Sequence, residues 1–365
     1  MVRVGILTWH KAVNHGAVLQ AYASQQVLRS IGCEAKILDH ERYVKKNQVS
    51  LVKKIINILK KMTIKKLIGR EIIKSFNKEK SIRFELFRKK YLELGEIYTK
   101  EQGLDAALIG SDMVFEFYQG YNSYMYGKDV QAPYKFSYAA SFGKTTDDSL
   151  KKHSKFNEIC ELIKNLNGIG YRDENTRKLI EKYTGRVDLT FNIDPVLLYG
   201  FKEEIIYWDE GKWINHKPYI VVYSYDSNMN GEKDINMIKS FAKKNGLVVV
   251  SLGYYHDWCD ECICADPKEF IEVLYHAQYV VTDTFHGTIF SLIMEKEFAS
   301  IIRGNGFKLK YLLDSSGMSN RVVNDNKLSE VFGAKADYNE FNKWLESERA
   351  SSLEYIKKEI ENSKN

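Results

Sequence analysis

The sequence predicts an α/β protein built from two Rossmann-like βα halves that face each other across a cleft. Three observations carry this prediction. Strand and helix patterns alternate in both halves of the chain, beginning with a strand–helix–strand unit in under forty residues. The chain has 365 residues, too many for one ordinary hydrophobic core. The stretch 199–216 has no clean hydrophobic period, and the boundary is placed there. The expected organisation is an N-terminal α/β domain over 1–200 with a basic helical insertion at 45–92, a C-terminal α/β domain over 201–337, and a closing helix over 338–365.

The elements follow in order. Val2-Arg3-Val4-Gly5-Ile6-Leu7 reads as a buried strand. Asn14 to Gly32 reads as a loop and then a helix, with Val18, Leu19, Tyr22, Val27 and Leu28 on its apolar stripe and Gly32 at its end. Ala35 to Asp39 is the next strand, so the first sheet is parallel. Residues 51–92 carry two basic amphipathic helix patterns. Ala106 to Ile109 is a strand ending at Gly110-Ser111-Asp112, and Tyr134 to Gly143 is another. A helix pattern near 148–166 precedes the strand Ile169-Gly170-Tyr171 and a helix from Asp173 onward. Val187 to Phe191 closes this half, and Asp194-Pro195 reads as a turn or strand end outside any site.

The second half restarts the alternation. Tyr219 to Tyr223 and Leu247 to Leu252 are strands with a helix between them. Asp266 is an N-cap, with Pro267 at the first helical position and Glu269 three residues past the cap. Tyr279 to Thr282 is a strand that stops at Asp283, and His286-Gly287 follows at the seam with the next apolar helix. No internal repeat or low-complexity tract is present.

Composition narrows the function classes. The chain is 44% apolar and 28% charged, as soluble globular proteins are. No apolar run reaches the ~18 residues of a membrane span. Met1 to Leu7 runs straight into a strand pattern instead of an export signal, and the five cysteines form an odd set. A cytoplasmic protein with reduced thiols is therefore expected. Between Lys45 and Lys90, 16 Lys and Arg stand against 3 Glu, leaving that segment at +13 and the rest of a +6 chain at −7. One segment makes the protein basic, so nucleic acid is not expected as a partner.

Four polar loops fall where strands end and helices begin, the places where open parallel sheets bind ligands. They contain Asn14-His15-Gly16, Ser111-Asp112, Arg172 and His286. Each has a plainer alternative. His286 could cap a helix, Arg172 could pair with Asp173 or Glu174 at the surface, Asn14 to Gly16 could be a tight connection, and Asp112 could cap a turn. The stretch with His256, Cys259, Cys262 and Cys264 offers four soft ligands. A usual zinc site takes its second pair from another loop, so a reduced thiol loop is the plainer reading. The basic segment reads either as solvated surface helices or as an element drawn to anionic lipid.

Six motifs, ILTWHKAVNHGAVLQAYA, IGSD, SYAASFG, YRDE, DPVLL and VVTDTFHGTIFSLI, resemble in order and spacing those of the polysaccharide pyruvyl transferase family. The resemblance covers residues 1 to about 325. It implies a two-domain fold like that of GT-B glycosyltransferases. It also implies transfer of pyruvate from phosphoenolpyruvate to two hydroxyls of a sugar in a capsular or exopolysaccharide precursor, giving a cyclic ketal and phosphate. No metal and no further cofactor are expected. On this reading the C-terminal domain is the donor side, and Arg172 of the N-terminal domain joins His286, Gly287 and Thr288 on the donor. The N-terminal loops are the acceptor side, with Asn14, His15, Gly16 and Ser111 on the sugar or lipid-linked glycan. His286 and Asp112 are the expected catalytic residues. Where characterised members often carry arginine before the Phe-His pair, this sequence has Thr284, and a hydroxyl cannot replace a charged bidentate fork. Arg303 and Lys308 are the candidates to take over. The alternatives are a nucleotide-sugar glycosyltransferase on the same fold, or a non-catalytic glycan-binding protein at the membrane.

Overall fold

The computed structural model describes residues 1–39, 64–118, 120–303, 306–323 and 327–364. The first of the two basic helices expected in 45–92 lies mostly outside these residues.

Two all-parallel sheets organise the chain. The first contains β1 (Arg3–Leu7), β2 (Glu34–Asp39), β3 (Leu94–Ile97), β4 (Ala106–Ile109), β5 (Tyr134–Ala140), β6 (Gly168–Tyr171) and β7 (Leu189–Phe191). Their order is β3-β2-β1-β4-β5-β6-β7. The second contains β8 (Tyr219–Tyr223), β9 (Val248–Leu252), β10 (Glu261–Ile263), β11 (Tyr279–Thr282) and β12 (Glu297–Ser300), in the order β10-β9-β8-β11-β12. The chain direction of assembly reverses between β1 and β4 in one sheet and between β8 and β11 in the other. Loops diverge at such a reversal and leave a crevice at the carboxyl ends of the strands.

Central strands are buried on both faces, as the uninterrupted Val-Ile-Leu runs require. Three strands without a range in the sequence reading, β3, β10 and β12, are all edges, and β3 and β10 have alternating or uniform partial exposure and little apolar content. The helix expected near 148–166 is broken into Asp147–Lys151 and Phe156–Lys164. At the break, His153 Nδ1 accepts from the Lys155 backbone N–H at 3.1 Å, a local bond that competes with the helical ladder. The irregular region 199–216 includes the short helix Lys202–Tyr207. The start expected at Asp266 is realised: its side chain accepts from the Lys268 and Glu269 backbone N–H groups, with Pro267 at the first helical position.

Three features fix the halves against each other. The helix Tyr338–Asn362 packs back on the first sheet, where the Tyr355 hydroxyl donates to the Ser137 carbonyl at 2.9 Å and the Ile193 N–H donates to Ser352 Oγ at 3.1 Å. The helix Ile64–Tyr91 straps the outside, with Phe84 against His15 and Phe76 against Tyr255. The start of the helix His15–Ser30, from the first half, inserts into the second. Among the described residues, no helix is long and apolar enough to cross a membrane.

Candidate functional site

A cavity of about 330 Å³ lies where the two sheet reversals meet. Asn14 and Asp112 reach it from the ends of the β1 and β4 connections. Tyr225, Asp283 and His286 reach it from those of β8 and β11, and Arg303 and Lys308 from beyond β12. Three helices begin at its wall, capped at Asn14, Thr284 and Gly306. Helix N-termini carry unpaired N–H groups and partial positive charge, so this wall favours anions.

His286 lies in the first turn of the helix Phe285–Ile293, whose cap is Thr284 and not the histidine. Thr284 Oγ1 accepts from the Gly287 N–H at 3.0 Å and pairs with Thr282 Oγ1 at 2.9 Å. The threonine thus ties the helix to β11 and holds no charge for an anion. The His286 ring rests on the backbone of Gly16: a Cβ added there would sit 2.2 Å from its Cγ and Nδ1. Its Nε2 is buried without a hydrogen-bond partner and faces Asp194 Oδ2 at 3.6 Å.

Asp194 sits at the centre of the charged cluster, contrary to its reading as a turn. Its side chain is fully buried at the start of the helix Pro195–Tyr199. Oδ1 accepts from the Val196 N–H at 3.0 Å, and Oδ2 accepts from Arg172 Nη1 at 2.6 Å. Burial pushes this carboxyl up, but His286 and Arg172 outweigh it and hold it below the usual carboxylate range.

Arg172 is not a surface pair with Asp173 or Glu174. Its second fork nitrogen, Nη2, donates to Asp112 Oδ1 at 3.2 Å, and its guanidinium lies 4.6 Å from the Phe285 ring centroid. With both fork nitrogens on carboxylates and only 3% of the side chain exposed, Arg172 is not part of this cavity's lining and borders instead a small adjoining pocket with Asp194, Phe285 and Lys308. Asp112 adopts a left-handed backbone (φ 67°), retained by this network. Burial raises its carboxyl, but Lys308, Arg172 and His286 together hold it well below the usual range. A carboxylate that acidic is a poor proton acceptor at neutral pH and a good orienting acceptor for a hydroxyl.

Lys308 lines the cavity from the first turn of the helix Phe307–Ser315. Its Nζ stands 3.9 Å from Asp112 Oδ1 and 4.9 Å from the Phe285 ring centroid. Burial lowers its pKa, although Asp112 opposes the shift. Arg303 also lines the cavity, but its Nε donates to Asp283 at 2.5 Å and its Nη2 to Asp234 at 2.7 Å.

Several residues expected at the site face elsewhere. His15 is fully buried, with Nε2 2.9 Å from the Ala265 carbonyl oxygen and the ring stacked on Phe270 at 4.6 Å. Burial, then Lys80, pushes its pKa far down, so it is a neutral plug between the halves instead of a sugar contact. Ser111 is buried and donates to Gln20 Oε1 at 3.1 Å. Thr288 is buried and pairs with Ser300 Oγ at 2.8 Å, tying the helix to β12. Gly287 has no room for a side chain because Thr282, Thr284 and Tyr223 crowd it, so it packs the helix start on β8 and β11. Asn14 does line the cavity, with Nδ2 donating to Tyr225 at 3.3 Å and Tyr254 at 3.4 Å across the halves. Both ring nitrogens of His256 are engaged, by Ser251 Oγ and the Asn228 carbonyl. Among the described residues, no group of three or more His, Cys, Asp or Glu is placed to hold a metal ion.

The family model for polysaccharide pyruvyl transferases matches residues 14–305, which spans every group of the cluster except Lys308. The chain belongs to the polysaccharide pyruvyl transferase family. It is therefore a transferase, and its class of reaction is pyruvyl transfer to a polysaccharide. No curated protein matches the sequence significantly. Similar solved structures include a UDP-GlcNAc 2-epimerase from Neisseria meningitidis, at 9% identity and TM-score 0.51, covering 99% of this chain and 100% of that one. A Listeria monocytogenes protein assigned to the same enzyme class is 7% identical with TM-score 0.51, covering 97% of this chain and 94% of that one. These likenesses speak for the fold alone, a GT-B-like pair of parallel α/β halves.

Proposed function

We propose that this transferase takes pyruvate from phosphoenolpyruvate and places it as a cyclic ketal on a sugar of a capsular or exopolysaccharide precursor, releasing phosphate. The observation that carries the proposal is the meeting of His286, Lys308 and Asp112 with three helix N-termini around one cavity. Phosphoenolpyruvate brings a carboxylate and a phosphate. Lys308 and the helix N-termini supply positive potential for both. His286 takes the proton of the first sugar hydroxyl through Nδ1, and that oxygen bonds to C2 of the donor. The double-bond electrons take a proton at C3 from the imidazolium, which makes the methyl group. The second hydroxyl then displaces phosphate from C2, and its proton leaves with the phosphate. Asp112 accepts a hydrogen bond from an acceptor hydroxyl and orients it.

The acceptor reaches the cavity past Tyr225 and Asn14. The segment 45–92 would hold the enzyme against an anionic membrane surface beside a lipid-linked glycan. In the described part of that segment, Ile72, Ile82 and Leu86 are exposed beside lysines, which supports this placement. Calorimetry with phosphoenolpyruvate tests the donor assignment. Micromolar binding by the wild type, weakened at least about tenfold in Lys308→Met, supports it (one lost charge-assisted contact). A folded wild type that binds a nucleotide sugar but no phosphoenolpyruvate would overturn it in favour of glycosyl transfer.

A further inference from the structure

From the cavity wall inward and back, a carboxylate, a guanidinium, a second carboxylate and an imidazole follow one another: Asp112, Arg172, Asp194, His286. The first three come from the ends of the β4, β6 and β7 connections in the first half, and His286 comes from the second. The two oxygens of Asp194 divide the work. Oδ1 caps the helix Pro195–Tyr199, and Oδ2 faces both Arg172 Nη1 and His286 Nε2. Nε2 is buried and unpartnered at 3.6 Å, just outside hydrogen-bond length, and such contacts commonly tighten when substrate closes a site. Gly16 lies against the ring at its Cγ–Nδ1 bond.

We propose that Asp194 is a positioning residue that turns the His286 ring so that Nε2–H points to it and Nδ1 points to the reacting atoms, and that Arg172 acts through this carboxylate and not on the donor. Because the carboxylate and the imidazole lie on opposite halves, the proton carrier is set only when the halves are docked. A carboxylate beside the distal nitrogen fixes the tautomer and stabilises the imidazolium formed when Nδ1 accepts a proton. The other charged groups around the ring are Asp112 from the first half, with Arg172 behind it, and Asp283, Arg303 and Lys308 from the second, the last on the helix Phe307–Ser315. Arg172, and Lys308 when charged, oppose the imidazolium, so Asp194 and Asp112 must outweigh them for His286 to carry the proton. The role as proton carrier rests on the phosphoenolpyruvate reading, whereas the orientation of the ring does not.

The test follows that division. Nitrogen-15 imidazole spectra of the whole chain, with His286→Gln to assign the signal, report the tautomer without any substrate. The wild type is expected as the Nε2–H tautomer. In Asp194→Asn, which keeps shape and capping oxygen, the pH midpoint of the His286 signal is expected to fall by about one unit or more. Asp194→Glu is expected to restore part of that shift. Phosphoenolpyruvate affinity is expected to stay within about threefold in both variants, since Asp194 does not touch the donor. An Nδ1–H tautomer in the wild type overturns the proposal, as does an unmoved midpoint in a folded Asp194→Asn. If Asp194→Asn does not fold, the wild-type tautomer still decides. A wild type with the expected tautomer that binds no phosphoenolpyruvate supports the positioning and overturns only the donor reading.

Discussion

Replacing Gly16 with alanine separates stability from function at a single atom. In a helix, alanine is favoured over glycine by about 1 kcal/mol, so propensity alone stabilises the variant. The added Cβ, however, would stand 2.2 Å from His286 Cγ and Nδ1 and 2.5 Å from its Cβ. Ordinary contacts begin at 3.4 Å, so the ring or the helix must give by more than an ångström. Relieving such overpacking costs about 1–3 kcal/mol, which leaves a net loss of about 0–2 kcal/mol. At about 2.1 cal/mol/K of unfolding entropy per residue, the melting temperature of this 365-residue chain should fall by no more than about 3 °C. A reacting group displaced by about 1 Å loses on the order of 100-fold in turnover. The assay is a thermal melt beside phosphate release from phosphoenolpyruvate with a pyruvylated-glycan precursor as acceptor. A folded Gly16→Ala protein with wild-type turnover would refute the claim that this backbone sets the His286 ring.

Lys80, 2% exposed over the Tyr254 ring at 3.7 Å, has its pKa lowered to about 8 by burial, with Asp226 opposing. The unfolded chain holds that proton up to about pH 10.4, so the penalty is full below pH 8 and is relieved as pH rises toward 10. That penalty, about 3 kcal/mol, exceeds a cation–π contact of about 2 kcal/mol. Lys80→Met should therefore be about 1 kcal/mol more stable at pH 7 by urea denaturation, and the gain should vanish by pH 10. His15→Ala should cost about 2–4 kcal/mol, because a buried plug leaves a cavity between the halves. His15 is held neutral in the fold, so wild-type stability should fall as pH drops below about 6.5, and the variant's melting curves should lack that share of the slope. Ser111→Ala and Thr288→Val should each lose about 1–2 kcal/mol in denaturant melts while phosphoenolpyruvate affinity stays within about twofold, since both hydroxyls bond inward.

Much of the fold was legible because its signals are local. The cap at Asp266 with Pro267, the apolar runs of β1, β4, β8 and β11, and the stripe of the helix His15–Ser30 each lie within one element. The edge strands β3 and β10 were not, because their pairing comes from a neighbour and their own sequence carries no alternation. At the site, His286 and Asp112 were legible from their place at strand ends. Asp194 was misread because its partners are the distant Arg172 and His286, so the Asp-Pro turn signal hid a buried ion-pair centre. The six-motif resemblance already contained Asp194, a cue that strand-end reasoning did not use.

By itself, the sequence determined the α/β class, the parallel strand–helix alternation, the family, and the loops that could meet a ligand. Periodicity and capping act over a few residues, and loop order follows from the alternation. Only the tertiary structure decided which polar side chain at each loop faces the cavity. His15, Ser111 and Thr288 turn inward to satisfy buried partners, while Asn14, Asp112, His286 and Lys308 remain at the cleft. That choice depends on which groups of the opposite half arrive within a few ångströms, because a buried polar atom must find a partner and an exposed one need not.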